Sequence, residues 1–476
     1  MYSAIVFSAS IFISALSLLL FWKRSDKAFG VFMKTLAILF CGVGFFRFML
    51  SDAFIYVING AFFEGKWYET TDYLQLVLRW GYYLCYAILP MAVFFKSRLF
   101  RNLASYVCLP FAILSAVFFE DYMVYFLSPM GHGLHLATWF RYAYFAFELT
   151  LAISIPLMLQ IRERHYFNVK DKWEWIRFFI SIPCIAFVMM PVYAPQAILG
   201  YTALIPEALD PYHIVWLVAL FVFVMGLYYG FRFRCYQDRF MLCVFLTVVL
   251  FFHYDSLYLM GFTIKRLPVQ LCNVASYFYL IAIPLRLKKM FNFCFLTNIV
   301  GALIAILMPD FATGSFGFWN AHYIFEHTLV LAIPALAMGL RIFPRVEKKS
   351  LLHMWVGFTI YFLFVFTIGT ILNGHVDKTG YRVNYFYMFD LKMAFDYFPF
   401  LTFTGQYHYE FGRYEVYPFV ITIVYLGFQV LCLLFYALVK LLYKMEDDHL
   451  QLRLSSITLY EELTGRKALR PKYFID

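Results

Sequence analysis

Residues 147–156 read "FELTLAISIP" and residues 325–334 read "FEHTLVLAIP". Each phrase lies inside an apolar stretch, 136–160 or 322–342, that exceeds the roughly 20 residues needed to cross a hydrocarbon core of about 30 Å. The surrounding chain is of the same kind. Hydrophobic residues make up 63% of its 476 residues, aromatics 22% and charged residues only 14%. A water-soluble fold could not cover that much apolar surface. The pattern therefore predicts an all-α polytopic membrane protein. About thirteen spans are expected, near 3–22, 29–49, 74–95, 102–119, 136–160, 175–198, 211–230, 238–258, 267–286, 292–308, 322–342, 352–372 and 417–443. The first lacks a small-residue cleavage site and is read as retained.

The net charge of +10 reports orientation and carries no suggestion of nucleic acid. Alternate connections hold Lys23, Arg24 and Lys27, then Lys96, Arg98 and Arg101, then Arg162, Arg164, Lys170 and Lys172. The series continues through Arg232 and Arg234, Arg286 with Lys288 and Lys289, and Arg345 with Lys348 and Lys349. The intervening connections are mainly acidic, with Lys265-Arg266 the local exception. The positive-inside rule then expects the N-terminus outside and the tail in the cytoplasm. Eight of the nine cysteines fall within spans, so no disulfide framework is expected.

The two phrases extend into a longer correspondence. "YLCYAILP" at 83–90 matches "QLCNVASY" at 270–277 in order and direction, and each is followed by a basic turn and a span ending in an acid, Glu120 or Asp310. Six spans followed by six, with a thirteenth appended, fit a parallel duplication of the kind found in transporter halves. The expected organisation is a degenerate N-terminal repeat over 1–206, a second transmembrane domain over 207–445 and a cytoplasmic tail over 446–476. The second repeat carries Cys272 and His327, whereas the first keeps Cys85 but has Leu149 in place of the histidine.

Counted from Arg266, Cys272 lies roughly 9 Å into its span, and His327 lies at nearly the same depth in the eleventh. Both are expected in the outer half of the bilayer. Gln270 and Asn273 accompany the cysteine, and His322 and Glu326 accompany the histidine. Polar groups inside a membrane usually face the bundle interior and mark function. His327 could instead only bind helices together through a hydrogen bond. His132 and His135 are three apart, without residues to complete a metal set. Arg47 and Asp255, at equivalent ends of the second and eighth spans, could pair or could each reach for the interface.

In order, "RLPVQLCNV" at 266–274, "GALIAILMPD" at 301–310, "FEHTLVL" at 325–331 and "VNYFYM" at 383–388 resemble the bacterial YwaF-like integral membrane proteins. These are relatives of the animal transmembrane protein 164 acyltransferases. The resemblance covers roughly 210–440 and implies a bacterial plasma-membrane protein. It implies Cys272 and His327 as a catalytic pair, with Asn384, Tyr385 and Asp310 at the family's Asn-Tyr and Pro-Asp positions. The N-terminal half is an addition to the family unit, and the stretch 373–416 is longer than the family leads one to expect.

The resemblance implies covalent acyl transfer. His327 would take the proton of Cys272, since a free thiol with a pKa of about 8.5 is mostly protonated at neutral pH. The sulfur would attack a lipid ester, with Gln270, Asn273 or a backbone N–H holding the oxyanion. Membrane lipids would be the substrates, without cofactor; because a site in the outer leaflet sees phospholipid acyl chains and not cytosolic acyl-CoA, the expected enzyme is a CoA-independent acyltransferase or a lipid hydrolase. No nucleotide-binding loop is present in the sequence. Protein partners leave no mark in the chain. Two other classes remain open: a lipid or small-molecule transporter or scramblase, and a non-catalytic envelope-assembly protein docking through 373–416.

Overall fold

A computed structural model of the chain describes residues 2–22, 25–46, 73–120, 137–163, 167–200, 202–255, 267–389 and 399–465. The first helices are α1 (Tyr2–Trp22), α2 (Asp26–Phe46), α3 (Tyr73–Tyr83) and α4 (Cys85–Phe94). A π turn at Ala104–Cys108 joins α5 (Arg98–Leu103) to α6 (Leu109–Val117). Then come α7 (Thr138–Arg162), α8 (Lys172–Val188), α9 (Ala194–Leu199), α10 (Pro211–Phe231), α11 (Tyr236–Asp255) and α12 (Leu271–Ala282). The last group is α13 (Lys288–Leu307), α14 (Phe318–Gly339), α15 (Lys348–Asn373), α16 (Val376–Thr379) and α17 (Pro418–Thr464), with a hairpin of β1 (Tyr409–Phe411) and β2 (Tyr414–Val416) before α17. Eleven helical stretches among the described residues are long and apolar enough to span a membrane. The chain is an all-α integral membrane protein that crosses many times.

Two expected spans take shorter forms. The sixth is divided, because α8 ends at Val188 and Pro191 and Pro195 follow at once. Proline lacks the N–H that would continue the ladder and disfavours helix in the residue before it. The ninth shrinks to the 12 residues of α12, bracketed by Pro268 and Pro284 for the same reason. The tail differs too. Residues 446–464, expected as part of a tail, continue the appended span as one 47-residue helix. Arg47, His132, His135, Lys265, Arg266 and the side chain of Asp255 lie outside the described residues.

The chain forms two compact units, one of residues 1–212, 248–266 and 311–325, the other of 213–247, 267–310 and 326–476. In the first, α1 packs on α7 through small hydroxyl residues. Ser10 and Thr150 hydroxyls lie 3.0 Å apart and those of Ser14 and Ser154 2.6 Å apart. Small residues let helix backbones approach, and their hydroxyls find partners across the interface without water. At the basic end of this unit the buried Glu174 accepts from Asn102 Nδ2 at 2.6 Å and Arg98 Nε at 2.9 Å, tying α8 to α5.

In the second unit, α13 is almost wholly buried from Phe291 to Val300, with α12, α15 and α17 packed around it. Phe291 stacks on Phe343 at 3.8 Å between ring centres. The basic connections end their helices in the same way. Arg286 and Arg341 both take positive φ, 53° and 58°, and the next residues donate back, Leu287 N to Ala282 O and Ile342 N to Ala337 O, each at 2.9 Å. This is the Schellman closure with arginine where glycine is usual. The positive charge there suits both the helix C-terminus and the membrane boundary.

Polar contacts tie together described residues of the segment before α17. Arg382 donates to Glu415 at 2.6 Å and the Tyr417 hydroxyl donates to the same carboxylate. The tyrosine hydrogen bond, with the Arg382 charge, holds the Glu415 carboxyl below its ordinary value against the opposing effect of burial. A carboxyl lowered on folding stabilises above its unfolded value of about 4.3 and loses that contribution as pH falls through the folded value. Hydrogen-exchange protection of 407–417, corrected for intrinsic rates, is expected to hold from pH 7 to about 5 and to fall below about 4. Cys235, exposed after α10, tests the orientation. An impermeant maleimide is expected to label it in inside-out vesicles and to miss it in right-side-out ones.

Candidate functional site

The site is built where α12 begins. Gln270 is extended (φ −63°, ψ 148°) and the helix starts at Leu271, so Cys272 is the second residue of its first turn. The first N–H groups of a helix have no partner within it, and the N–H of Cys272 is one of them. Measured back from Ala282, Cys272 stands roughly 15 Å from the end of α12, about half of a ~30 Å hydrocarbon core.

A non-helical backbone at that depth needs partners from side chains, and the second unit supplies them. The Tyr361 hydroxyl donates to Val269 O at 2.8 Å, and the fully buried Asn298 donates to Leu271 O at 3.2 Å. Gln270 reaches sideways: its Oε1 accepts from Phe386 N at 2.8 Å and its Nε2 donates to Asn384 O at 3.4 Å. Asn384 Oδ1 accepts from Phe389 N at 3.1 Å, and Asn373 makes a two-way bond with the backbone of Val383. The loop thus held is strained, with Phe386 and Tyr387 at φ 53° and 55°. Bulky residues rarely adopt such values, and strain of this kind collects at functional sites.

Around the sulfur, Glu326 of α14 and the tyrosines Tyr279, Tyr361 and Tyr387 all lie within reach of a charge on Cys272. Tyr387 feels Asp310 as well. Gly301 of α13 makes room: a β-carbon there would stand 3.1 Å from Leu271 Cδ2 and 4.0 Å from Cys272 Sγ. The Tyr279 hydroxyl donates to Val330 O at 2.9 Å and sets the register of α12 on α14. Tyr279 is two turns beyond Cys272 and Val330 about one turn beyond Glu326 and His327, so the two levels agree to within roughly one turn. His327 is buried, and the next residue, Thr328, accepts from Trp216 Nε1 at 2.9 Å.

The structure therefore gathers Cys272, Gln270, Glu326, Asp310 and the Asn384–Tyr387 loop in one region. Asn273 follows Cys272 on α12, with its carbonyl taken by the Ser276 hydroxyl, and Tyr385 is buried in the loop. His322 belongs to the first unit, where its ring stacks on His253 at 5.4 Å. The three tyrosines, Asn298 and Gly301 were not singled out by sequence. No group of three or more His, Cys, Asp or Glu placed to hold a metal occurs among the described residues.

The corresponding region of the first unit is closed. α3 and α4 run on almost without a break, Leu84 being helical, and the Cys85 thiol donates to Cys108 O at 3.8 Å. Glu148, the acid of "FELT", accepts from Tyr82 at 3.0 Å and from Tyr86. In each unit the acid of the repeated phrase thus approaches the helix that carries the "LC" cysteine.

Fold and site together define a polytopic α-helical membrane protein with a cysteine presented at the start of a short helix within the bundle. The C-terminal half is related to the TMEM164 family, whose profile matches residues 208–439. No curated protein and no solved structure matches the chain. The match takes in every residue of the site and leaves residues 1–207 outside.

Replacing Gln270 by alanine removes both bonds to the strained loop. The expected cost is about 1–3 kcal/mol for the buried backbone groups left behind. Thermal stability in detergent and hydrogen exchange of 383–389 check this, with faster exchange expected there and unchanged exchange in α1 and α7.

Proposed function

We propose that this chain is a membrane-embedded lipid acyltransferase that carries the acyl group on Cys272 and uses His327 as its base. The supporting observation is the placement of Cys272 at the start of α12, in the same region as Glu326 and the tyrosines and in the part of the chain related to the TMEM164 family.

The chemistry follows from the arrangement. A thiolate at Cys272 and a carboxylate at Glu326 would repel, so the proton leaves as the sulfur attacks and passes to a neutral base, His327. The sulfur bonds to the ester carbonyl carbon of a phospholipid, and the carbonyl oxygen takes the negative charge. The backbone N–H groups at the start of α12, which lie outside that helix's own ladder, and Asn273 beside them stabilise that charge. Collapse breaks the carbon–oxygen bond of the ester. The leaving alkoxide recovers the proton from His327 and departs as a lysolipid, leaving a thioester on Cys272. In the second half His327 deprotonates the hydroxyl of an acceptor lipid, which displaces the sulfur, and the proton returns to Cys272. Gln270, Asn384 and Tyr385 hold the surrounding backbone, and Asp310 acts through Tyr387. The cycle uses no acyl-CoA.

The test is label transfer from an acyl-labelled phospholipid to a lysolipid, in liposomes holding purified protein. Cys272→Ala is expected to abolish transfer and His327→Ala to slow it by about 10²–10⁴-fold, while Cys85→Ala keeps wild-type rates. Equal rates in all four proteins, or transfer from acyl-CoA alone, would overturn the reading.

A further inference from the structure

An apolar groove of about 710 Å³ runs along α15 between α12 and α13, within the second unit. Val274 and Phe278 of α12 form one wall, Phe293 of α13 the back, and Val356, Ile360 and Phe364 of α15 the other wall. Gly357 lets the back wall close in, since a β-carbon there would come 2.7 Å from the Phe293 ring. The three α15 wall residues are exposed, so the groove opens sideways, toward lipid. From Leu352 to Phe364 it follows α15 for roughly 18 Å, close to the depth of one leaflet of a ~30 Å core.

Its two ends differ. One is Tyr361, which lines the groove, bonds the backbone at Val269 and lies within charge reach of Cys272. The other is Lys289 with Leu352 and His353, at the basic boundary of the bundle. There His353 Nδ1 lies 3.2 Å from Asn292 Nδ2.

We propose that this groove holds the acyl chain of the donor lipid, its carbonyl end at Cys272 and its methyl end beside Leu352 and Lys289. The proposal deepens the reading of Cys272 as the acyl carrier and rests on it. Direction follows from geometry. A lipid seated the other way, with its phosphate at Lys289, would keep its ester near that charge and about a leaflet's depth from the sulfur. An ester at Cys272 puts the headgroup on the side where α12 begins and leaves only hydrocarbon for the groove. The length of the groove then sets which chains fit, and the residues at its basic end act as the stop.

The experiment has two arms. In the first, Leu352→Trp and Val356→Trp are compared with wild type and with Phe221→Trp, on an exposed face of α10, using a series of donor phospholipids of increasing acyl length. The two groove variants are expected to lower the ratio of long-chain to short-chain transfer by about tenfold or more, and Phe221→Trp to leave it unchanged. An unchanged ratio, or an equal fall at all lengths, overturns the proposal. In the second arm, Cys272→Ala protein in liposomes is irradiated with a phospholipid carrying a photoreactive group at the end of its acyl chain. Crosslinks concentrated on Leu352–Ile360 are expected. Crosslinks spread equally over α15 and the exposed face of α10 mean bulk lipid and overturn it. If wild type transfers no label, the acyl-carrier reading fails, and the crosslinking arm still decides whether the groove takes a chain.

Discussion

A backbone that leaves the helix inside hydrocarbon has no water to bond, and each of its N–H and C=O groups must find a partner in the protein. The entry to α12 is such a place, and much of the second unit is organised to satisfy it. Tyr361 takes the carbonyl of Val269, Asn298 that of Leu271, and Gln270 answers the loop at 384–386. Residues far apart in the chain are brought to one point by this requirement. The same opening makes Cys272 the second residue of a helix's first turn, where an uninterrupted helix would have set it within the ladder.

The first unit shows the same parts without the opening. Leu84 continues the helix, Cys85 is spent on a carbonyl, and Glu148 accepts from Tyr82 and Tyr86, which flank the cysteine in sequence. A duplicated pair in which one member kept only its packing would have this form. The difference between "FEHT" and "FELT" accompanies a larger one, an extended backbone before Cys272 against a continuous helix at Leu84. Leu149, fully buried, fills its place without asking for a partner.

Much of the site could be read from the sequence because polar residues stand out in apolar spans. Cys272, Gln270, Glu326 and Asp310 were visible for that reason, and Asn384 through the resemblance of its motif. The tyrosines were not, since Tyr279, Tyr361 and Tyr387 are three among 38, and only folding separates those brought near Cys272 from those that line an interface. Counting residues from Arg266 set the depth of Cys272, but helix length within the membrane depends on where the ladder breaks. Pro268 and Pro284 carried that information for α12, as Pro191 did for α8. The groove was beyond reach, because it is a space bounded by three helices with no residue type to mark it. The run of α17 past the membrane was hidden too, since polar residues after Lys440 read equally well as a solvated tail.

α17 also has a mechanical side. At 47 residues it is a rod of roughly 70 Å, more than twice the thickness of the core it crosses. Beyond the membrane, Glu446 and Asp447 bond Arg345. Inside, Phe428 lies against Phe358 and Phe386, at 4.8 Å and 5.0 Å, and the backbone of Phe386 is the group that Gln270 grips. Arg345 is thus the fulcrum of a beam whose inner arm bears on the loop beside the cysteine. The far tip of α17, some thirty ångströms out by the same rise, is linked to that loop through helix and side-chain contacts alone.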